Sequence, residues 1–302
     1  GGIKRIAKIA SKLVPFMAVI YFGGALVVVV ENYQNIIPSF HSIFSQVFSG
    51  SAAAGGFLGA SFAMSLKLGV ARGLYSNEAG QGSSPIAHAS AKTEHSVEQG
   101  MVSILEPFID TIVVCSVTAL VILSSGAWIE KYENTFERSS MAIFEGKYSE
   151  SNTNDVEELG KYILDARKFT NNTTAVKNFS GNLAIVKGEI QQADVTIFHN
   201  NSIAEDVTFY KNGNFFDGSL EILNGEIKDS SITVNGKSLI HSAELTSKAF
   251  GSGVLGKYGE YIVAIGLLLF AFSTAIAWSY YGDRSTAYIF GENAVPWYRM
   301  IY

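Results

Sequence analysis

Hydrophobic and polar positions divide the chain into long apolar runs at its two flanks and an alternating, more polar stretch between them. A bilayer core about 30 Å thick needs roughly 20 apolar helical residues to cross it, and within it only helices or closed barrels satisfy their backbone groups. Four runs meet that length: Leu13–Val30, the 35 residues Asn32–Leu66 without one Lys, Arg, Asp or Glu, Thr111–Ile129, and Tyr261–Gly282. The middle stretch keeps other periods. Thr153-Asn-Asp-Val-Glu-Glu opens like a capped helix, and Val156, Leu159, Tyr162, Ile163, Ala166 and Phe169 hold a helical spacing. Beyond it, Asn212-Gly213, Asn224-Gly225 and Asn235-Gly236 recur at intervals of 11 to 12 residues between runs such as VTFYK, SLEIL and SITV. Asn-Gly supplies the positive φ of a two-residue hairpin turn, so the pattern predicts a β-meander, with a β-solenoid as the rival.

Composition sharpens this division. Hydrophobic residues make up 48% of the 302, charged residues 16%, and the net charge is −5. Between Glu130 and Lys257 stand 18 Asp and Glu against 13 Lys and Arg, so that stretch carries the whole net charge. Two materials are therefore expected, apolar flanks at 1–129 and 257–302 and an inserted domain at 130–256. Lys and Arg bias sets topology, with the excess on the cytoplasmic side. Lys4, Arg5, Lys8 and Lys12 precede the first run; Lys67, Arg72 and Lys92 follow the second; Arg284 and Arg299 follow the last. That alternation predicts a multi-pass protein of the cell (inner) membrane with the insert on the extracytoplasmic side. The single Cys115 excludes an internal disulfide and a cysteine-built zinc site. No signal-peptide pattern precedes the first run, and the apolar resumption at RMIY predicts a piece of a longer protein. No feature points to nucleic acid.

Inside the 35-residue run lies FSGSAAAGGFLGAS, Phe48 to Ser61, whose glycines, serines and alanines are poor choices for a plain spanning helix. Small residues let transmembrane helices approach closely. Alternatively, the helix is interrupted at mid-membrane, where unwound backbone offers N–H and C=O groups to a ligand. The last run poses a similar choice. Ser273 and Thr274 are hydroxyls on one turn, with Phe270 one turn before and Trp278 one turn after. Hydroxyls with a carbonyl of the preceding turn suit Na⁺ or a similar hard cation, and Trp278 could wall a small pocket. The same residues also fit i−4 back-bonding and an interfacial belt.

RGLYSNEAGQGSSPIAHASAKTEHSVEQG (Arg72–Gly100), FIDTIVVCSVTALVIL (Phe108–Leu123) and LLFAFSTAIAWSYYGDRSTAYIFG (Leu268–Gly291), joined to GGIKRIAKIASKLVPFMA, resemble the alanine or glycine:cation symporter family of bacterial and archaeal transporters. The resemblance covers nearly everything outside about 130–250. It implies sodium-coupled, or less often proton-coupled, import of a small neutral amino acid across the lipid bilayer. It also implies an all-α multi-pass fold, the LeuT-type inverted repeat of the amino acid–polyamine–organocation superfamily, present here in part. On that map the four runs are its fifth to eighth transmembrane helices, and the insert is an enlarged, β-rich extracellular loop between the seventh and eighth. The sixth helix of that fold is broken, which implies substrate contacts at Gly55, Gly56 and Phe57. Thr274 and Trp278 carry over to the wall from the eighth helix, and Phe270, Ser273 and Thr274 to half of a Na⁺ site. The family's first and third helices are absent, so this stretch alone cannot complete the site.

SNEAGQGSSPIAH resembles a ligand loop, yet Lys67 and Arg72 place it after the sixth helix, where Ser83, Ser84 and Pro85 read as a helix start. Asn77 and Glu78 are accordingly expected to act in gating rather than in substrate contact. Glu106 and Asp110 sit four apart at the inner end of the seventh run, where an embedded acid is a functional suspect. Asp110 is a candidate for cation or proton coupling, with pairing to an Arg or Lys as the competing expectation. An enzyme is not expected: Gly59-x-Ser61 with His88 or His41 offers a serine hydrolase only a poor turn, because Phe follows Ser61. From another class, the chain could be a membrane-anchored extracellular sensor or adhesion module in which the insert is the working part.

Overall fold

The computed structural model describes residues 3–48, 53–54, 57–58, 62–78, 81–166, 174–191 and 194–302. Among them the helices are α1 (Ile3–Glu31), α2 (Ile36–Phe48), α3 (Phe62–Ser76), α4 (Ser84–His88), α5 (Ser96–Ser125), α6 (Thr153–Ala166), α7 (Ser242–Gly251), α8 (Lys257–Phe290) and α9 (Val295–Ile301). Three of these are long and apolar enough to cross a bilayer: Lys8–Glu31 of α1, all of α5 and all of α8. They contain the first, third and fourth expected runs, with one correction. Gly126 adopts φ +76 and ends the helix, and Ala127–Ile129 form a separate 3₁₀ turn, so the third span stops at Ser125 and not at Ile129.

The second run is not one helix. Among the described residues α2 runs to Phe48, α3 begins at Phe62, and β1 (Ala53–Ala54) and β2 (Phe57–Leu58) pair antiparallel, Ala53 opposite Leu58 and Ala54 opposite Phe57. Helical hydrogen bonding therefore lapses inside an uncharged run.

The chain forms two compact units. The first comprises Gly1–Ile36, Leu68–Ser125 and Thr246–Tyr302, and the second Ile37–Lys67 with Gly126–Leu245. By this measure the borders differ from the expected 129/130 and 256/257, and α7 belongs to the first unit from Thr246 onward.

In the first unit α1 packs on α5 and α8. Side-chain bonds fix the contacts: the Tyr21 hydroxyl meets the Thr118 hydroxyl at 2.7 Å, and the Asn35 amide donates to the Ser124 carbonyl at 2.8 Å. The latter satisfies one of the carbonyls that a helix C-terminus leaves without a partner. Glu31 accepts the Val254 N–H at 3.1 Å. Tyr21 also lies 5.1 Å from the Phe250 ring.

The second unit adds β3 (Tyr132–Thr135), β4 (Met141–Glu145), β5 (Gly181–Val186), β6 (Glu189–Ile190), β7 (Val195–His199), β8 (Ser202–Ile203), β9 (Glu205–Lys211), β10 (Asn214–Phe215), β11 (Gly218–Leu223), β12 (Glu226–Ile227) and β13 (Ile232–Ser238). These form three antiparallel sheets with strand orders β10-β9-β13-β3, β12-β11-β5-β6 and β4-β7-β8. The expected β-meander is thus corrected: successive hairpins enter different sheets, and β9 pairs with β13 while β11 pairs with β5. The physical reason is that each hairpin's second strand is only two residues long, so tip groups seek partners sideways. Gly188, at the β5–β6 tip, accepts the Phe209 N–H at 2.8 Å and donates to the Phe216 carbonyl at 2.9 Å. Asn212-Gly213 and Asn224-Gly225 do make turns with positive φ. Asn235-Gly236 does not; it lies inside β13 at a register shift, where a side chain on Gly236 would meet the Glu205 carbonyl at 2.8 Å and Phe136 at 2.9 Å.

Phe136, Ile143, Leu183, Phe209, Leu220 and Val234 are among the buried side chains of the sheet core, and each large one contributes about 1.5–3 kcal/mol by leaving water. Val156, Leu159, Tyr162 and Ile163 of α6 pack with Phe144 and Phe198, as their spacing predicts; Phe169 lies outside the described residues.

Candidate functional site

The polar residues of the first unit converge where α3 ends. A π-helical stretch, Phe108–Val114, interrupts α5 directly after Pro107, which has no N–H to donate to the regular ladder. In this register two consecutive residues of α5 reach two consecutive residues of α3 and its exit. The Ser76 hydroxyl donates to the Asp110 carboxylate, and the Thr111 hydroxyl donates to the Asn77 side-chain carbonyl at 2.8 Å. Asp110 thus has a serine partner, and no ion pair of Asp110 with Lys or Arg occurs among the described residues.

Glu78 turns the chain in a left-handed conformation, φ +51, and accepts the hydroxyl of buried Ser83 at 2.5 Å. Helix α4 then starts at Ser84 with Pro85 in its first turn, as expected. Glu106 ties α4 to α5, accepting from the Ser84 hydroxyl at 3.0 Å and bonding the His88 Nε2 at 3.0 Å. Gln99 Nε2 lies 2.7 Å from His88 Nδ1. An amide N–H can only donate there, so the imidazole proton sits on Nε2 and points at Glu106. Sequence reasoning singled out Asp110, Asn77 and Glu78, and the structure places all three in hydrogen bonds of this region. It missed the His88–Glu106–Gln99 link, whose spacing carries no periodic signal.

On α8, the Ser273 hydroxyl donates to the Phe270 carbonyl at 2.9 Å, and Thr274 is exposed on the same turn. The bond is the local back-bonding that stands as the alternative to a cation site. Phe270, Ser273 and Thr274 supply at most three oxygens, so a Na⁺ held here takes its remaining ligands from elsewhere. Among the described residues no group of three or more His, Cys, Asp and Glu side chains could hold a metal ion. Trp278 stacks edge-on against Tyr281 at 5.9 Å and lines a cavity of about 330 Å³ together with Gln81, Ser83, Tyr281, Ser285 and Tyr298. Gly55 and Gly56 lie outside the described residues. Phe57 is placed in β2, but its side chain is not described.

Long apolar helices and an interrupted apolar run are features that membrane-embedded transport proteins share. Residues 1–154 and 227–302 match the model of the sodium:alanine symporter family, and the chain belongs to that family. The family is one of symporters, not of enzymes. The chain is 47% identical over 131 residues to an uncharacterized transporter, YflA, of Bacillus subtilis, a match covering 43% of this chain and 28% of that protein. It is 28% identical over all 302 residues to an uncharacterized transporter of Haemophilus influenzae, covering 43% of it. It is 30% identical, again over all 302 residues, to the sodium/alanine symporter AgcS of Methanococcus maripaludis, covering 42% of that protein. The chain therefore spans less than half the length of these relatives. No solved structure matches it.

Proposed function

We propose that this chain is part of a secondary active transporter that couples entry of Na⁺ to symport of a small neutral amino acid, alanine or glycine, by alternating access. The observation that supports the reading most is the antiparallel pairing of Ala53–Ala54 with Phe57–Leu58 inside an uncharged run of a sodium:alanine symporter family member. Backbone that leaves the helical ladder can turn N–H and C=O groups toward the carboxylate and ammonium ends of an amino acid. In this proposal the interruption around Gly55, Gly56 and Phe57 supplies those groups. Trp278 limits side-chain size, Thr274 lines the substrate, and Phe270, Ser273 and Thr274 supply part of a Na⁺ site on a LeuT-type scaffold. Asp110, Asn77 and Glu78 serve gating or coupling, with H⁺ as the competing ion: one relative in Bacillus subtilis is named a putative sodium/proton-dependent alanine carrier. Cation and substrate are coupled if both stabilise the same occluded state, since a ligand shifts an equilibrium only through differential affinity.

The test is uptake of labelled L-alanine by proteoliposomes of the full-length protein with and without an inward sodium gradient. Uptake that rises with the gradient is expected. Equal uptake in both removes sodium coupling, and no uptake of any small neutral amino acid removes the function.

A further inference from the structure

We propose that the cavity bounded by α8, α9 and the Gln81–Ile86 segment is an inner holding site for the transported α-amino acid, half-covered in this state by a flap that the Arg299–Asp283 ion pair fastens. The inference rests on the transport reading above. Trp278 separates two groups of polar residues on the apolar helix α8. Ser273 and Thr274 stand one turn before it, whereas Tyr281, Gly282 and Ser285 follow it and line the cavity. About 330 Å³ is ample for alanine, glycine or the larger glutamine.

The lining suits both ends of a zwitterion. Trp278, Tyr281 and Tyr298 line the cavity, and aromatic rings attract an ammonium group. Ser83 lines the same wall and holds the Glu78 carboxylate behind it at 2.5 Å. The Gln81 amide and Ser285 hydroxyl are donors for a carboxylate. Apolar walls with a few converging polar groups are the usual make-up of a small-molecule site.

The cover is α9 and the residue after it. Asp283 of α8 is buried, and Arg299 grips it through Nε at 3.0 and 2.9 Å and Nη2 at 2.5 Å. Such a fork fixes geometry as well as charge. The Tyr298 ring lies directly over Gly282, where no side chain would fit. The Tyr302 hydroxyl donates to the Ala275 carbonyl at 2.7 Å, so the cover reaches along α8 past Trp278.

The test uses the full-length protein in vesicles, with Ile86→Cys, a lining position that supplies no donor, in a background that lacks other cysteines, Cys115→Ala included. A membrane-impermeant maleimide is applied to the face bearing Arg284 and Arg299. Labelling is expected to slow about tenfold at L-alanine roughly ten times above its dissociation constant. It is expected to quicken about tenfold in Arg299→Ala, as a ~1.4 kcal/mol shift toward the open cover gives. Arg299→Lys, which keeps the charge without the fork, should fall between. Labelling indifferent to L-alanine, glycine and L-glutamine in a background that still takes up L-alanine overturns the inner site, as does a cysteine the reagent never reaches. Labelling unchanged by both Arg299 variants overturns the cover. A background that takes up no small neutral amino acid brings down the transport reading and this inference together.

Discussion

His199 shows how much one buried side chain can tie to pH. Its Nε2 accepts the Glu137 N–H at 3.2 Å, so the neutral ring carries its proton on Nδ1 and donates to the Ser238 hydroxyl at 2.7 Å. The ring is 1% exposed and stacks on Phe136 at 4.3 Å. Burial first, and the nearby His241 second, lower its pKa from 6.5 to about 4. The unfolded chain then binds a proton that the folded one refuses, so stability is full above pH 6.5 and falls as pH drops toward 4. Integrated over that window the loss is about 3 kcal/mol, of which roughly 2 kcal/mol has appeared by pH 5. Hydrogen exchange in the intact chain, corrected for intrinsic rates, should show that loss in the amides of β7 and β13 between pH 7 and pH 5. Equal protection at the two pH values would mean that the ring is charged or solvated. His199→Phe should flatten the pH slope while lowering stability throughout, because the Glu137 N–H and Ser238 each lose a partner.

At the scale of elements, the π-helical register of α5 makes a separate prediction. Asp110 meets α3 through the Ser76 hydroxyl, and a side-chain amide can accept that bond as well as a carboxylate can. If Asp110 positions α3, Asp110→Asn keeps L-alanine uptake within about threefold, while Asp110→Val and Ser76→Ala each lower it by about tenfold. Collapse of uptake in Asp110→Asn alone, with Ser76→Ala near normal, would assign the charge itself to coupling. The sequence shows why this contact is hard to foresee. Length and lack of charge revealed α1, α5 and α8, since the bilayer dictates them, whereas the small residues after Phe48 left close packing and an interruption equally open. Asp110 stood out as a lone acid, but its partner depends on a register shift that no periodicity encodes. In the second unit, Asn212-Gly213 and Asn224-Gly225 were legible as turns because positive φ is a local demand. Asn235-Gly236 carries the same letters for a different cause: close approach of Phe136 and the Glu205 carbonyl, which only the folded sheet creates. Asp283 with Arg299 was likewise invisible, because sixteen positions of helix and turn separate two charges that the fold brings together.

For the whole molecule, the decisive geometry is where the β-rich part enters and leaves. Strands β3 and β13 are neighbours in one sheet, with Thr135 opposite Asn235 and Tyr132 opposite Ser238. Chain ends that close can be rejoined without moving what lies outside them, the condition under which inserted domains are tolerated. The family match also stops at residue 154 and resumes at 227, leaving most of α6 and strands β5 to β11 unmatched. Replacing Phe136–Val234 by Asn-Gly would turn β3 and β13 into a hairpin closed by a two-residue turn, with their register intact. Sodium-dependent L-alanine uptake by the shortened full-length protein should stay within about twofold of the parent if the helices do the work and the insert is an appendage. A sensor or adhesion module predicts the reverse. There the shortened protein would still reach the membrane in normal amount but lose every response to substrate, and that outcome would move the function from the helices to the sheets.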